Sequence, residues 1–419
     1  MTTKKPKIFS VKSTLFVLFV VFCIQFTELK VDVIKLSELL LLLITPFLYF
    51  KNKIDKWSLY LLVLFTLWLI ISLSINPFRD FFLLTNVSVL KRPYLISIGR
   101  YLELISCVNL AILVYLFLKD KTKQQVKVYI KYIFNLCLFF TIINTLIFAL
   151  LKFNFIEESR LLYHDHGIRL KGWYVEGGPY GLMVSFTFIL TFFYKSKYHL
   201  LFRSFLIFVI FFLARSKAGI VLILTWYVLM YYKIAYNKLR ELNFLIIIIG
   251  GFLISLVIIK LGDGYIKDIV NVKREMKERP QDVNLVMGRI AGVFIFPNMV
   301  YQNPVLGIGL GNYPIMRNNP EFLKFIPKSP PGKTDAHGFG GLIQLLVDGG
   351  FVFLTLFLLI IYKLYHKLKE KNNGDEKYLQ IFLFFFVFGV QIYFLYPWVL
   401  IGISIYHSQN QNNEKNNYN

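Results

Sequence analysis

Charge is the scarcest property of this chain. Only 17% of its 419 residues are Asp, Glu, Lys or Arg, against about a quarter in soluble domains, so a water-exposed globule is excluded. Cysteine is scarcer still: Cys23, Cys107 and Cys137 all fall inside apolar runs, where they read as reduced packing residues and say nothing about redox compartment. No repeat is visible and the two halves of the chain are unalike, which weighs against the internally repeated folds of many secondary transporters. The first apolar run follows a basic N-terminus but lacks a small-residue cleavage site, so it reads as a retained signal anchor.

Apolar sequence is what the chain has in abundance. It is 56% hydrophobic and 18% aromatic, with a mean hydropathy of +0.58, and runs of near-membrane length recur from end to end. The pattern predicts an all-α polytopic membrane protein of about twelve helices, at 13–27, 33–50, 57–76, 98–118, 128–151, 179–194, 200–214, 218–232, 243–260, 338–362, 378–395 and 397–407. Several fall short of the roughly 20 residues a crossing needs and must recruit their flanks. Within 378–407, Tyr396-Pro397-Trp398 either splits two short helices or kinks one, and twelve spans return the C-terminus to the side of the N-terminus. The Asn- and Gln-rich tail 408–419 reads as disordered.

The formal charge of +23 would suit nucleic acid, but its distribution argues otherwise. Segments 1–12, 51–56, 119–127, 195–199, 233–242 and 363–377 hold 21 Lys and Arg in 57 residues; the alternate segments 28–32, 77–97, 152–178 and 215–217 hold 10 in 56. That twofold bias is the positive-inside signature and puts the N-terminus in the cytoplasm, with membrane lipids as the partner the charge implies.

Polar sequence concentrates in two outer loops, 152–178 and the 76 residues 261–336. In the longer one, Tyr265 to Arg279 has the makings of a basic helix lying on the membrane, with Ile266, Ile269, Val270 and Met276 on one side. Residues 285–300 look helical up to Pro297, and Asn303 to Pro314 is a glycine-rich turn. Gly307-Ile308-Gly309-Leu310-Gly311 is no nucleotide loop, since no strand precedes it and no P-loop Lys follows. Its glycines let the backbone turn tightly, either under a phosphate or against a neighbouring helix. The outer side thus gathers Arg169 and Lys171, Arg215 and Lys217, Arg289 and, where the long loop re-enters the membrane, His337. Guanidinium groups bind phosphate oxygens bidentately and keep their charge. An imidazole takes a proton from a hydroxyl near neutral pH.

Four segments, in order, carry a resemblance: Arg169 to Pro179, Ser216-Lys217-Ala218-Gly219, Gly288-Arg289, and Pro304 to Tyr313 followed by Ala336-His337. The chain resembles the superfamily of O-antigen polymerases and O-antigen ligases over about residues 165–362. Lys217 stands where ligases more often have Arg, and Gly338 where Asn often follows the His. The resemblance implies a cofactor- and metal-independent glycosyltransferase of the bacterial inner membrane. It would transfer a glycan from undecaprenyl pyrophosphate to a hydroxyl on the outer face. Polymerisation of repeat units is the expected reaction, with ligation to lipid A-core or another acceptor as the alternative and a flippase of lipid-linked sugars as a second. A chain-length regulator and a flippase are the protein partners such a pathway supplies. Arg289 and His337 are the expected catalytic residues; Arg169, Arg215, Lys217 and Glu176 are the expected substrate-binding ones.

Each residue also has a plainer role. His337 would cap a helix, Arg289 would anchor at the headgroups, and Arg215 and Lys217 would flank an ordinary turn. His164-Asp165-His166, with Glu157 and Glu158 upstream, lacks a third ligand at a recognisable spacing and reads as a solvated loop. Glu38, Glu103 and Asp348 lie within spans, where a carboxylate is costly. Lys35 is placed to pair with Glu38, and Asp348, ahead of Gly349-Gly350, to bond a neighbouring helix; all three acids read as structural.

Overall fold

The computed structural model of the chain describes residues 10–27, 29–31, 34–81, 92–157, 168–194, 196–241, 266–280, 282–286, 288–328, 339–371 and 374–409. Helix dominates them. The strands among the described residues are two antiparallel pairs of residues, with Lys30 opposite Lys35 and Val31 opposite Ile34. Four helices are long and apolar enough to cross a membrane: Lys56–Phe78, Pro93–Leu118, Lys123–Lys152 and Gly341–Lys369. Four more apolar helices are shorter, Val11–Gln25, Leu36–Phe50, Gly177–Leu190 and His199–Leu213, and the helix Lys217–Glu241 is apolar through Tyr231.

The gap between four long helices and twelve expected spans has physical causes. The run 33–50 breaks at Ile44, where Pro46 starts a new helix, Thr45–Lys51. The run 200–214 ends in a wide π turn, Val209–Leu213. The expected span 243–260 lies outside the described residues. At the C-terminal end the alternatives resolve into two helices, Glu376–Val387 and Leu395–Gln409. The break precedes Tyr396, and Pro397 sits in the first turn of the second helix, where its missing N–H loses no helical bond. Ser408 is buried in that helix, with its hydroxyl on the Ile405 carbonyl at 2.8 Å, so the tail cannot begin where the composition placed it.

The chain divides into two compact units. Unit 1 comprises residues Met1–Tyr60, Ile105–Trp226 and Ile361–Asn419. In it Val11–Gln25, begun by a Ser10 cap, packs on Lys123–Lys152, begun by the Thr122/Gln125 capping box. Gly177–Leu190, nearly all buried, packs against Lys123–Lys152 and Leu395–Gln409. The three cysteines are buried thiols of this unit. Lys35 pairs with Glu38 at 2.6 Å, as the spacing anticipates.

Unit 2 comprises Leu61–Leu104 and Tyr227–Ile360. Here the polar insert has a core of its own: Leu285, Ile290, Ile295, Met299, Tyr313 and Phe322 are among its buried residues. The helix Arg289–Gln302 runs through Pro297 instead of stopping there. The expected membrane-surface helix is also revised, Tyr265 lying outside the described residues. Met276 is buried in the core and Ile269 packs against it, whereas Ile266 and Val270 are exposed. The four do not share one face, because a turn at Asn271 separates 266–270 from the helix Val272–Glu278. Arg279 closes that element with bonds to Asp268, Glu275 and Asp282. Glu103 pairs with Arg100 at 2.7 Å.

Candidate functional site

In unit 1 the π turn determines where the cations sit. A helix end leaves carbonyls without helical donors, and a five-residue wide turn redirects them. The Ala214 amide returns to the Val209 carbonyl and the Ser216 amide to Ile210. The carbonyls of Leu213 and Ala214 then accept from the Leu170 amide at 2.9 Å and from Arg169 Nε at 3.1 Å. The next residue, Arg215, has φ +49, a left-handed conformation that costs a non-glycine about 1–2 kcal/mol. Ser216 then ties the turn to the following helix: its hydroxyl donates to the Gly178 carbonyl at 3.0 Å and accepts from the Gly219 amide at 3.2 Å. The fit is close: a Cβ on Gly177 would lie 2.8 Å from the Ala214 carbonyl oxygen and 3.1 Å from Arg169 Nε.

Two stretches some forty residues apart therefore meet. They carry Arg169, Glu176 and the pair Arg215 and Lys217. Glu176 is exposed at the N-cap of Gly177–Leu190 without capping it, and Arg215 and Lys217 are exposed on the turn. Lys171 is the exception in the loop: it is buried, with its ammonium on the Tyr174 carbonyl at 3.1 Å. Behind the loop, Trp173 stacks on Phe26 with ring centroids 4.5 Å apart, and Thr27 donates to the Trp173 carbonyl.

In unit 2 the glycine-rich turn docks into a broken helix. The helix Gly341–Lys369 is interrupted at Gly350, whose φ of 68 and ψ of −172 lie in a region open only to glycine. A side chain there would also collide with the chain opposite, a Cβ lying 2.3 Å from the Val305 carbonyl oxygen. The turn supplies what the break removes. Phe351 and Val352 donate their amides to the Pro304 and Val305 carbonyls, while Ile308 and Gly309 donate to those of Val347 and Asp348. The Asp348 carboxylate accepts from the Gly311 amide at 3.2 Å; it bonds the turn rather than the neighbouring helix the sequence suggested.

This geometry decides between the two uses proposed for the glycines. Gly307 donates to Asn303, Leu310 to the Ser72 hydroxyl and Asn312 to Gly309. Every amide from Gly307 to Asn312 thus has an acceptor within the protein, and none is left to cradle a phosphate. The turn packs against a helix and serves as scaffold.

Residues the sequence reading passed over hold this scaffold. Arg79 donates to the Asn303 side chain and, at 2.7 Å, to the Gly307 carbonyl; burial lowers its guanidinium pKa from the ordinary value. Asn312 bonds Asn76 at 2.8 Å and the Ile308 carbonyl at 2.9 Å. Arg317 is 1% exposed and donates to the Val286 carbonyl at 2.7 Å. Burial pushes the Tyr313 hydroxyl up to about 12, against the opposing pull of Arg317. Their signal in the sequence was a cation or amide beside the glycine run or at a helix end, too common a pattern to single out.

Arg289 is exposed at the first position of Arg289–Gln302, behind a Gly288 N-cap. His337 lies outside the described residues, as do Glu158 and His164-Asp165-His166. No family model matches the chain, and no curated protein matches it.

Proposed function

We propose that the chain polymerises undecaprenyl-pyrophosphate-linked oligosaccharide repeat units on the outer face of a bacterial inner membrane, as a member of the O-antigen polymerase and ligase superfamily. In this reading it is a multi-pass protein of about twelve spans with its N-terminus in the cytoplasm. The observation that carries the proposal is the convergence of Arg169, Arg215 and Lys217 on one strained turn of unit 1, with Glu176 beside it. Exposed Arg215 and Lys217, with half-buried Arg169 beside them, suit a diphosphate, whose leaving-group charge grows during transfer and is where fixed cations are most effective. Arg289, in unit 2, keeps the catalytic role that the resemblance implies. His337 is assigned as the base that takes the proton from the attacking sugar hydroxyl.

The test compares purified full-length protein with His337→Gln, using synthetic undecaprenyl-pyrophosphate oligosaccharide and a chelator. A positioned general base contributes about 10²–10⁴-fold, so the Gln variant should lose chain extension by that factor while retaining donor binding. Extension by the variant at the wild-type rate would move the base to Glu176, Asp335 or His164. Loss of wild-type activity in chelator would end the metal-independent mechanism. Transfer to lipid A-core but not to a second lipid-linked repeat would make the protein a ligase.

A further inference from the structure

One end of unit 1 gathers lysines from separate segments. Lys123 and Lys127 lie in the opening turns of Lys123–Lys152, and Lys367 and Lys371 lie at the close of Gly341–Lys369 and just beyond it. The Lys371 ammonium donates to the His407 carbonyl at 2.8 Å, and His407 Nδ1 lies 3.2 Å from an Asp375 carboxylate oxygen. The Tyr406 hydroxyl donates to the Lys121 carbonyl at 2.8 Å, fixing the same corner. Lys123, Lys127 and Lys371 are all near enough for their charge to act on Asp375, and Lys367 and Lys123 act on Lys371. Among the nearby acids, Asp120 and Glu376 stand beside the more numerous Lys119, Lys121, Lys123 and Lys377 in the sequence, and two others are engaged. Asp55 caps its own helix through the Trp57 and Ser58 amides, and Glu370 pairs with His366 at 3.0 Å. Positive charge therefore exceeds negative at this corner.

Below the lysines the surface changes character. On the exposed side of Lys123–Lys152, Lys127 is followed by Lys131, Tyr132 and Asn135, and only then by the apolar Phe139, Ile142, Leu146 and Leu150; Phe139 is 54% and Leu146 58% exposed. From Phe139 to Leu150 a helix rises about 16 Å, about half of a hydrocarbon core about 30 Å thick. A soluble anion would use the cations alone, and an acidic protein segment has no need of an apolar stripe running away from them along a helix. A phospholipid matches both parts in the order they occur.

We propose that this corner of unit 1 is a binding site for an anionic phospholipid. Its phosphate would sit among Lys123, Lys127 and Lys371, with its acyl chains reaching past Lys131 and Asn135 to the Phe139 to Leu150 stripe. The experiment incorporates the full chain into phosphatidylcholine vesicles and measures, by electron spin resonance, the motionally restricted fraction of spin-labelled phosphatidylglycerol relative to spin-labelled phosphatidylcholine. Each lysine near an anionic headgroup is worth roughly fivefold in association. The triple variant Lys123→Gln/Lys127→Gln/Lys371→Gln should therefore lose most of the preference for phosphatidylglycerol. The Lys→Arg triple should keep it, and Lys152→Gln, at the far end of the same helix, should leave it unchanged. An unchanged preference in the Gln triple would overturn the site, as would equal loss in the Arg triple, which would mark a packing defect. Full displacement of the labelled lipid by millimolar inorganic phosphate would reassign the corner to a soluble anion. Should Phe139→Ser/Leu146→Ser leave the preference intact, the acyl-chain half of the proposal would fall.

Discussion

Both units lean a glycine-rich segment on an interrupted helix and use an arginine to bond a backbone carbonyl there, but the turn in unit 1 also displays cations of its own. In unit 1 the π turn hands its spare carbonyls to Arg169 and Leu170, and the backbone there is strained so that Arg215 stays on the surface. In unit 2 the cations beside the glycine run, Arg79 and Arg317, are drawn inward to hold carbonyls. The lesson is that an arginine next to a glycine run is not by itself a ligand for phosphate. What distinguishes a displayed cation from a strut is where the surrounding backbone bonds go.

The comparison breaks most visibly at Gly350. Gly350→Ala imposes a forbidden backbone conformation and a collision with Val305, together roughly 2–6 kcal/mol; thermal unfolding in detergent should show the loss. A variant as stable as the parent would mean the break is not fixed by the glycine-rich turn. Next in size is Arg79→Ala, which removes two charged bonds worth about 1.5–3 kcal/mol each. It should lower stability while Arg79→Lys recovers part of it. A loss of donor binding without any loss of stability would instead make Arg79 a ligand.

The displayed cations should give the reverse pattern. Arg215→Gly relieves the left-handed strain and should hold or raise stability, yet lower donor use roughly 10- to 100-fold through one lost charge-assisted bond. Arg289→Ala should cost a similar factor, with Arg289→Lys restoring only part because the planar fork is gone. Steady-state chain extension read beside a melting curve separates the two effects. The smallest effect belongs to Ser216→Ala, which loses bonds to Gly178 and Gly219 worth about 1 kcal/mol each. It should reduce activity only as far as the turn loosens, and an effect as large as that of Arg215→Gly would make the serine hydroxyl a participant in its own right.

Composition and periodicity made the helical class legible, along with most helix positions and the Lys35–Glu38 pair. The contact of Arg169 with the turn carrying Arg215 and Lys217 was not written in any spacing, because it joins backbone and side chain 45 residues apart. Nor was the break at Gly350. Hydropathy averages over residues, and two glycines in an apolar run barely lower it, whereas the φ of +68 depends on what faces the backbone. The core of the insert was hidden for a related reason. Leu285, Tyr313 and Phe322 come from three four-residue helices, and none of these is long enough to display a period. Pro297 looked like a stop because a proline ends most helices, but packing on both sides of it holds the helix through to Gln302.

The docking of residues 303–313 into the break at Gly350 also bears on how the chain is made. A helix normally satisfies its own backbone as it leaves the ribosome, but this one reaches Gly350 with amides and carbonyls whose partners lie some forty residues earlier. Those partners have already been synthesised and can be waiting. The run 341–369 is therefore unsuited to independent release into lipid, because Asp348 and the open backbone groups would enter unpaired. Insertion of this segment becomes contingent on prior folding of the insert. A ribosome-stalled chain extended far enough past Lys369 to free residues 341–369 from the exit tunnel should integrate stably when residues 303–313 are intact. It should slip back out when Gly307 is replaced by Val, whose side chain would meet the Asp348 backbone.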